Sequence, residues 1–302
     1  MSALFLCSVE EKSAACPLAQ ALAVPCLSYE CHRFPDQELR LTLPLQDSAA
    51  LPATVVLYRS LDRPNDKLVE LLLIARHLRR LGARQLILVA PYLAYMRQDI
   101  AFHSGEIVSQ TIVGQFLAEL FDGVITVDPH LHRIERLEQA IPLSAAVFVS
   151  GAPRLADLIR DNLQQPLLIG PDAESRQWVE SAAVRIGADF GVCQKVRRGD
   201  RDVTVELPDL PVNGRQVVVL DDVASSGHTL AQATRALLNA GAATVDVAVT
   251  HALFAGDAVE LLKQAGVGNI WSTDTIIHDS NAISMAPLLA EALTPLLNVP
   301  LD

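Results

Sequence analysis

The sequence predicts an α/β protein with two similar halves, each built on a parallel sheet flanked by helices. Short apolar runs of strand length alternate with amphipathic segments of helix length, which is typical of parallel sheets covered on both faces. The alternation starts again near residues 141–150, although no close sequence repeat is present. At 302 residues the chain is long enough for about two domains. We therefore expect domains at 1–145 and 146–302.

In the first half, strands are predicted where apolar residues run together, and helices where they recur roughly every three to four positions. Gly82 follows the first long helical pattern and is expected to end it, as glycine often does. The predicted strands are 3–9, 54–58, 85–90 and 123–128, and the predicted helices are 65–81 and 108–120.

The second half repeats the alternation with its own apolar runs. A last helix, predicted over 286–297, could pack on either half. The other predicted helices are 152–162, 176–186, 230–240 and 257–265, and the predicted strands are 166–169, 216–221, 244–250 and 269–272.

Composition excludes several classes of protein. A net charge of -11 argues against a generally basic nucleic-acid-binding surface. No apolar stretch approaches the roughly 20 residues that span a bilayer, and the N-terminus lacks a basic segment typical of signal peptides. The five cysteines are odd in number and show no CxxC spacing, which argues against a disulfide framework and a zinc site. We expect scattered, buried thiols and a reducing, cytoplasmic setting.

Ligands of open parallel sheets bind beyond the carboxyl ends of the strands. Acidic and small residues that directly follow a predicted strand are therefore the candidates for function. Three segments fit this description, at 128–130, 170–172 and 221–229.

The segment after the strand VVVL is the most informative of the three. Two adjacent carboxylates are followed by small hydroxyl residues and a glycine that open a helix, which suits an anion at the helix N-terminus. An ordinary turn with a serine N-cap is the alternative, but it leaves two adjacent acids at a strand end without partners. The candidate binding residues are Asp221, Asp222, Ser225, Ser226, Gly227, His228 and Thr229.

This segment resembles the phosphoribosyl pyrophosphate (PRPP) binding loop that type I phosphoribosyltransferases share with PRPP synthetases. By itself it does not separate the two families. The resemblance implies a type I phosphoribosyltransferase-like fold, with the ribose 5-phosphate site on these residues.

The N-terminal half is similar to the PRPP synthetase (ribose-phosphate pyrophosphokinase) family. Residues 33–38, RFPDQE, look like the family's F-x-D-G-E segment, with Gln37 in place of the glycine. This likeness implies adenine contacts from Phe34, Asp36 and Glu38, often across a subunit boundary. Residues 63–73 resemble the family's P-N-D-x-L-x-E-L-L stretch and are expected to be scaffolding, with Asn65 or Asp66 as a helix N-cap.

Residues 91–99, PYLAYMRQD, are close to the family's P-Y-x-x-Y-x-R-Q-D segment. The planar fork of an arginine suits a triphosphate. An aspartate two residues later could instead orient that arginine. The resemblance implies ATP binding by Arg97, Gln98, Asp99 and His103.

The metal and catalytic residues are implied by three shorter likenesses. Residues 128–130 resemble a D-x-H segment and residues 170–172 an S-P-D segment, which implies magnesium binding by His130 and Asp172. Residues 193–200 look like a flexible loop with a K-x-R pattern, which implies that Lys195 and Arg197 are catalytic. Near the end, 250–254 and 272–276 resemble T-H-G-x-F and T-N-T-I.

The likeness spans nearly the whole chain in the right order, and no Walker A pattern is present. It implies a Mg²⁺-dependent homo-oligomeric enzyme that converts ATP and ribose 5-phosphate into PRPP and AMP. The short segment 100–108 is typical of versions without a long regulatory segment, so we expect weak allostery. A type I phosphoribosyltransferase and a non-catalytic regulatory paralogue are the alternatives.

Overall fold

The computed structural model describes residues 3–45, 51–131, 133–197 and 203–298. The chain divides into two compact units. Unit 1 contains Met1–Val149 together with Ala286–Asp302, and unit 2 contains Ser150–Met285. The division lies four residues beyond the expected position, and the last helix belongs to unit 1 rather than to the C-terminal half.

Unit 1 contains seven strands and four α-helices among its described residues. The strands are β1 Ala3–Ser8, β2 Cys26–Arg33, β3 Leu39–Thr42, β4 Thr54–Tyr58, β5 Gln85–Val89, β6 Gly123–Val127 and β7 Ala146–Val149; the helices are α1 Lys12–Ala21, α2 Pro64–Arg80, α3 Ser109–Leu120 and α8 Ala286–Leu297.

The sheet of unit 1 has the strand order β3-β2-β1-β4-β5-β6-β7. Its strands are parallel except β3, which pairs antiparallel with β2. One face packs on α2 and α3 through buried side chains such as Leu6 and Leu57. Helices α1 and α8 contact each other, and α8 also contacts β6 and β7. The expected parallel sheet is thus mixed at one edge.

Unit 2 contains eight strands and four α-helices among its described residues. The strands are β8 Leu167–Gly170, β9 Asp189–Val192, β10 Gln194–Arg197, β11 Val203–Glu206, β12 Gln216–Ala224, β13 Thr244–Ala252, β14 Ile270–Thr273 and β15 Asn281–Ile283; the helices are α4 Ala152–Asn162, α5 Arg176–Ile186, α6 His228–Asn239 and α7 Ala258–Gln264.

The six-stranded sheet of unit 2 has the order β15-β14-β13-β12-β8-β9, and every pair in it is parallel. Alternate side chains of β12 face opposite layers: Val218 and Leu220 pack with α4 and α5, and Val217 and Val219 pack with α6 and α7. A separate two-stranded ribbon joins β10 to β11.

The two units share one topology. In each, the second strand pairs with one side of the first strand, and the later parallel strands follow on the other side. Strand order therefore reverses between β1 and β4 in unit 1 and between β8 and β12 in unit 2. Such switch points open a crevice at the carboxyl ends of the strands, where ligands of α/β sheets bind.

In the described part of the chain, no helix combines the length and apolar character needed to cross a membrane.

Candidate active site

The switch point of unit 2 brings together the carboxylates expected from the sequence. Asp172 follows β8 and is the N-cap of a short 3-10 helix, where its Oδ1 accepts a hydrogen bond from the Glu174 N–H at 3.1 Å. The Ser175 hydroxyl donates to the Asp172 carbonyl at 2.6 Å. A Cβ on Gly170 would lie 2.2 Å from Ser175 Oγ, so this turn requires a glycine at the end of β8.

Strand β12 carries the two adjacent acids. It continues to Ala224, three residues beyond its predicted end, because it goes on pairing with β13 through Asp221 and Val223. Asp222 is buried and Asp221 is half-buried. Burial, followed by the neighbouring charges of Asp222 and Asp172, raises the pKa of Asp221 well above its usual range. Three carboxylates therefore share one site.

The loop after β12 leads into α6 through Gly227, which adopts a left-handed φ of 76° and is the helix N-cap. Because the N-cap is a glycine, which has no side chain to cap the helix, the alternative of a serine N-cap is wrong. The Ser225 carbonyl accepts a hydrogen bond from the Ala255 N–H at 3.0 Å, which fixes the loop. The first N–H groups of α6 are thus available to an anion, as at known phosphate sites.

The other loop residues differ in exposure. Ser226 and His228 are exposed, and Ser225 and Thr229 are half-buried. A Cβ on Gly227 would lie 3.2 Å from the Ala258 carbonyl oxygen, so α7 crowds the loop from one side.

Lys195 and Arg197 lie in β10, at the start of the ribbon with β11. The expected flexible loop therefore begins as a strand. The side chains of Lys195 and Arg197, and residues 198–202, lie outside the described part of the structure.

In unit 1, the segment expected to contact adenine forms the turn between β2 and β3. Gln37 adopts a φ of 76°, so it takes the left-handed conformation that favours glycine. The Phe34 N–H donates to the Glu38 carbonyl at 2.9 Å, and the Asp36 carboxylate accepts from the Glu38 N–H at 3.2 Å. The Phe34 ring packs edge-on to His32 at 4.9 Å and is itself exposed.

The segment after β5 contributes an exposed Arg97. Asp99 does not orient it, because the Asp99 carboxylate pairs with Arg133 at 2.6 Å. The side chain of Asp99 is 5% exposed, and its Oδ2 has no hydrogen-bond partner among the described residues. Gln98 accepts a hydrogen bond from the Ser109 hydroxyl at 3.2 Å, which ties this segment to the start of α3.

The two histidines of unit 1 differ in environment. The His103 side chain is 84% exposed and lies 4.0 Å from the Glu106 carboxylate. His130 is half-buried and follows β6, directly after Asp128 and Pro129. Asp128 is buried with a φ of 34°, a strained conformation for a non-glycine residue at a strand end.

All these residues of unit 1 follow strands at the same edge of the sheet, but they form two groups. The turn that carries Phe34 follows β2, which lies three strands from β5 in the sheet order. At about 4.8 Å per strand, that separation is roughly 14 Å. Arg97, Asp99 and His130 lie in the segments that follow the neighbouring strands β5 and β6.

The side chains that fill the switch point of unit 1 were not predicted from the sequence. Arg59, which follows β4, pairs with Glu70 at 2.9 Å and with Glu11 at 3.3 Å, and all three side chains are buried. Lys67 pairs with Glu11 at 3.5 Å, and the Tyr29 hydroxyl donates to Glu70. An ion-pair network therefore occupies the position that, in unit 2, holds the carboxylate site.

The helix N-cap expected at Asn65 or Asp66 is also different. Helix α2 starts at Pro64 with Arg63 as its N-cap, so Asn65 and Asp66 lie in its first turn. Asp66 pairs with Arg33 at 2.7 Å, and Asn65 accepts a hydrogen bond from Tyr95. These side chains hold neighbouring segments in place, as expected of scaffolding.

Two copies of one topology, with a glycine-capped helix N-terminus at the switch point of unit 2, define a protein of the phosphoribosyltransferase fold class. Residues 148–285 match the family model of the phosphoribosyl transferase domain, and residues 4–120 match that of the N-terminal domain of ribose phosphate pyrophosphokinase.

Curated relatives agree along the length of the chain. The ribose-phosphate pyrophosphokinase of Saccharolobus solfataricus is 33% identical over 89% of this chain and 91% of its own. That of Methanopyrus kandleri is 34% identical over 91% and 93%, and that of Methanothermobacter thermautotrophicus is 32% identical over 95% and 98%. The chain belongs to the ribose-phosphate pyrophosphokinase family, which confirms the resemblance read from the sequence.

A solved structure supports the fold. The crystal structure of phosphoribosylpyrophosphate synthetase from Mycobacterium smegmatis matches with a TM-score of 0.82, covering 98% of this chain and 99% of that one, at 21% identity. Because the two sequences are only 21% identical, the match shows the fold alone.

Proposed function

We propose that the protein is a ribose-phosphate diphosphokinase. It transfers the β,γ-pyrophosphoryl group of MgATP to the C1 hydroxyl of ribose 5-phosphate, giving PRPP and AMP. The C1 oxygen attacks the β-phosphorus in line, the bond from that phosphorus to the α,β-bridging oxygen breaks, and the hydroxyl proton leaves to solvent.

The observation that carries this proposal is the switch point of unit 2. It combines a cluster of three carboxylates with a helix N-terminus whose N-cap is a glycine. A phosphosugar needs both features, an anion site for its phosphate and acceptors for its hydroxyls. We assign the phosphate to 225–229 and the ribose hydroxyls to Asp221 and Asp222.

In unit 1 we assign the ATP phosphates to the segments after β5 and β6. Arg97 is an exposed cation, and Asp99 holds the guanidinium of Arg133 against the same segment. His103 and Gln98 lie in the same segment. Phe34, Asp36 and Glu38 are assigned to adenine, and their position three strands away supports the proposal that they serve the ATP site of another subunit.

The residues present fit a divalent cation. Besides burial, the charges of Asp222 and Asp172 help to raise the pKa of Asp221, so the carboxylates of this site repel one another. A bound Mg²⁺ would relieve that repulsion. Asp172 would hold Mg²⁺ in unit 2, and His130 would hold the ion on ATP in unit 1. When bound, Mg²⁺ supplies positive charge that neutralises the phosphate oxygens.

We assign Lys195 and Arg197 to the transferring phosphates. Two cations beside the reacting group would stabilise charge on it, because phosphoryl transfer depends mainly on positioning and electrostatics. No strong general base is assigned, so these residues and the bound substrates provide alignment and charge.

A ³¹P NMR time course of the purified protein with MgATP and ribose 5-phosphate tests the proposal. We expect AMP in equal amount to a new pyrophosphoryl signal bonded to C1. An unchanged spectrum, with ATP binding confirmed by calorimetry, would contradict the proposal and favour a regulatory paralogue. Turnover only with PRPP and a nucleobase would favour a phosphoribosyltransferase.

We further propose that the protein forms homo-oligomers through unit 1. A groove between α2 and α3 is lined by Leu68, Val69, Leu72, Ile112, Val113 and Phe116. Val69 and Ile112 are 50% and 57% exposed, which is unusual for apolar side chains beside one another. A second copy of the chain would cover them.

Finally, we propose a reducing, cytoplasmic setting and weak control by ADP. All five cysteines are free thiols, which suits a reducing compartment. A steep, sigmoidal inhibition curve with ADP would contradict the expectation of weak allostery that the short segment 100–108 supports.

A further inference from the structure

Three of the five cysteines come together in unit 1, contrary to the scattered thiols expected from the sequence. Cys7 lies on β1, Cys16 on α1 and Cys26 at the start of β2. Their sulfur atoms all lie within 4.8 Å of one another, and Cys7 Sγ is 3.8 Å from Cys26 Sγ. Cys31, by contrast, is exposed, and Cys193 is buried in unit 2.

The parallel pairing of β1 and β2 explains why these side chains meet. Cys26 pairs with Phe5, and Cys7 pairs with Ser28. Cys7 and Cys26 therefore lie two positions apart on one face of the sheet, because side chains of a strand alternate between faces. Helix α1 connects the two strands and contacts both, and it adds Cys16 to the same layer.

The spacing of the sulfur atoms fits a metal better than a covalent bond. Zinc–thiolate bonds of about 2.3 Å in tetrahedral geometry place two sulfur atoms roughly 3.8 Å apart. The Cys7–Cys26 separation is 3.8 Å. A disulfide would need sulfur atoms about 2.05 Å apart and would leave the third thiol without a role.

We propose that Cys7, Cys16 and Cys26 bind a thiophilic d¹⁰ cation, for which Zn²⁺ is the fitting ion. Three thiolates and one water would complete a tetrahedral shell. Cys7 is buried, whereas Cys16 and Cys26 are half-buried, so an ion reaches the cluster from the side of these two residues. None of the residues assigned to ATP or ribose 5-phosphate belongs to the cluster.

The protonation of Cys7 and Cys26 makes metal binding at such a site depend on pH. Burial is the main cause that raises the pKa of Cys7, and burial together with the neighbouring thiols raises the pKa of Cys26. Without a cation, Cys7 and Cys26 therefore keep their protons at neutral pH. Metal binding replaces those protons, and its affinity rises with pH.

Zinc titration of the reduced, chelator-stripped full-length protein tests the proposal. Competition with a chromophoric chelator gives the stoichiometry and affinity, and Co²⁺ substitution reports thiolate ligands through a thiolate-to-cobalt charge-transfer band. We expect one Zn²⁺ per chain and a higher thermal midpoint when it is bound. Because Cys16 is half-buried on a helix, Cys16→Ala should keep the fold, and we expect it to weaken zinc binding by more than about a hundredfold, beyond the loss typical of outer-shell partners.

Cys31→Ala is the matched control, since Cys31 is a cysteine of unit 1 outside the cluster, and it should bind zinc like the wild type. Circular dichroism checks that Cys16→Ala is folded, and Cys26→Ala replaces it in the comparison if it is not. Equal zinc affinity of the wild type and the folded cluster variant would overturn the proposal. Oxidation of the wild type to a Cys7–Cys26 disulfide without zinc uptake would overturn it as well.

Discussion

Asp221 has the most unusual environment of the candidate site residues. Its carboxylate is half-buried and faces the charges of Asp222 and Asp172, which together with burial raise its pKa. An acid whose pKa is higher in the folded than in the unfolded state stabilises the fold at low pH. That contribution is lost as the pH rises through the folded-state pKa.

We therefore expect Asp221→Asn to make the metal-free protein more stable at about pH 8, because the amide carries no charge that burial and the neighbouring acids would penalise. The gain should shrink as the pH falls towards about 4, because the wild-type carboxylate is then protonated. Urea unfolding in the presence of a chelator measures both free energies. Turnover should fall roughly a hundredfold, as expected when substrate positioning is lost.

Glu174→Gln is the control for this comparison, since Glu174 is exposed, is a neighbour of Asp172 and has no role in the proposed reaction. It should change neither the pH dependence of stability nor turnover. A neutral effect of Asp221→Asn on turnover would contradict the assignment of the ribose hydroxyls.

A second prediction at the residue scale concerns Arg97. A guanidinium binds a phosphate with two parallel hydrogen bonds, which a lysine cannot reproduce although its charge is the same. Arg97→Lys should therefore lower kcat/KM for ATP by about tenfold to a hundredfold, a loss of roughly 1.4–2.8 kcal/mol. Arg80→Lys, an exposed arginine at the end of α2, should leave it unchanged. Initial rates at varied ATP measure both.

At the scale of elements, the sequence predicted the buried strands and their helices well. The strand over 54–58 and the helices over 152–162, 176–186 and 286–297 have the expected bounds. These segments succeed because burial on one or both faces imposes a strong apolar pattern.

Three of the elements that were missed, β2, β3 and α1, lack this pattern. Strand β2, CLSYECHR, is exposed over its second half and reads as polar, and β3 lies beside it at the sheet edge. Helix α1 contains Pro17, which argues against a helix when only the sequence is known. Pairing with neighbouring strands and packing on the sheet decide these elements.

The residues of the candidate site also fall into those that could be predicted from the sequence and those that could not. Acids at strand ends, such as Asp172 and Asp221, could be predicted because the topology places them at one edge. The pairing of Asp99 with Arg133 and the network around Arg59 could not, since they join residues far apart in the chain. The cluster of Cys7, Cys16 and Cys26 was not predicted for the same reason.

Helix α3 provides a prediction about packing. An alanine usually stabilises a helix relative to glycine by about 1 kcal/mol. At Gly114, however, a Cβ would lie 1.8 Å from the backbone carbonyl oxygen of Ala140, which cannot move away as a side chain could. Gly114→Ala should therefore reverse the usual sign and destabilise the protein by about 1–3 kcal/mol.

Chemical denaturation measures this effect. Gln115→Ala, at the exposed neighbouring position of the same helix, should change the free energy of unfolding by no more than about 0.5 kcal/mol. A stabilising Gly114→Ala would show that the helix and the Ala140 segment do not pack as described.

At the scale of the whole molecule, the two units use one topology for different purposes. The switch point of unit 2 is a candidate ligand site, whereas that of unit 1 is filled by Arg59, Glu11 and Glu70. Removing one member of a buried ion-pair network leaves an unpaired buried charge, which typically costs about 3–5 kcal/mol. We expect Arg59→Met to destabilise unit 1 by this amount.

Hydrogen exchange shows which unit loses stability in Arg59→Met. Amides of β1 and β4 should lose protection, while those of β12 should not. Arg185→Met removes an exposed ion pair with Asp157 in unit 2 and should cost less than about 1 kcal/mol. Equal losses in the two variants would argue that the Arg59 network contributes no more than a surface pair.

The assembly is tested by the groove between α2 and α3. Ile112→Asp places a charge at its exposed rim and should shift the protein towards the monomer, because a buried unpaired carboxylate is unfavourable. Val184→Asp is the control, since Val184 is 75% exposed on α5, outside the groove. Light scattering after size exclusion gives the mass, and an unchanged mass for Ile112→Asp would rule out this surface as the contact.

Helix α8 belongs to unit 1 although all of unit 2 precedes it in the chain. It contacts α1, β6 and β7, and its buried Leu289 and Leu293 face this layer. During synthesis, the apolar surface of unit 1 that α8 covers stays open to water until the ribosome has translated unit 2. Unit 1 therefore starts to fold first and is completed last, and in that interval its uncovered surface is a natural target for chaperones.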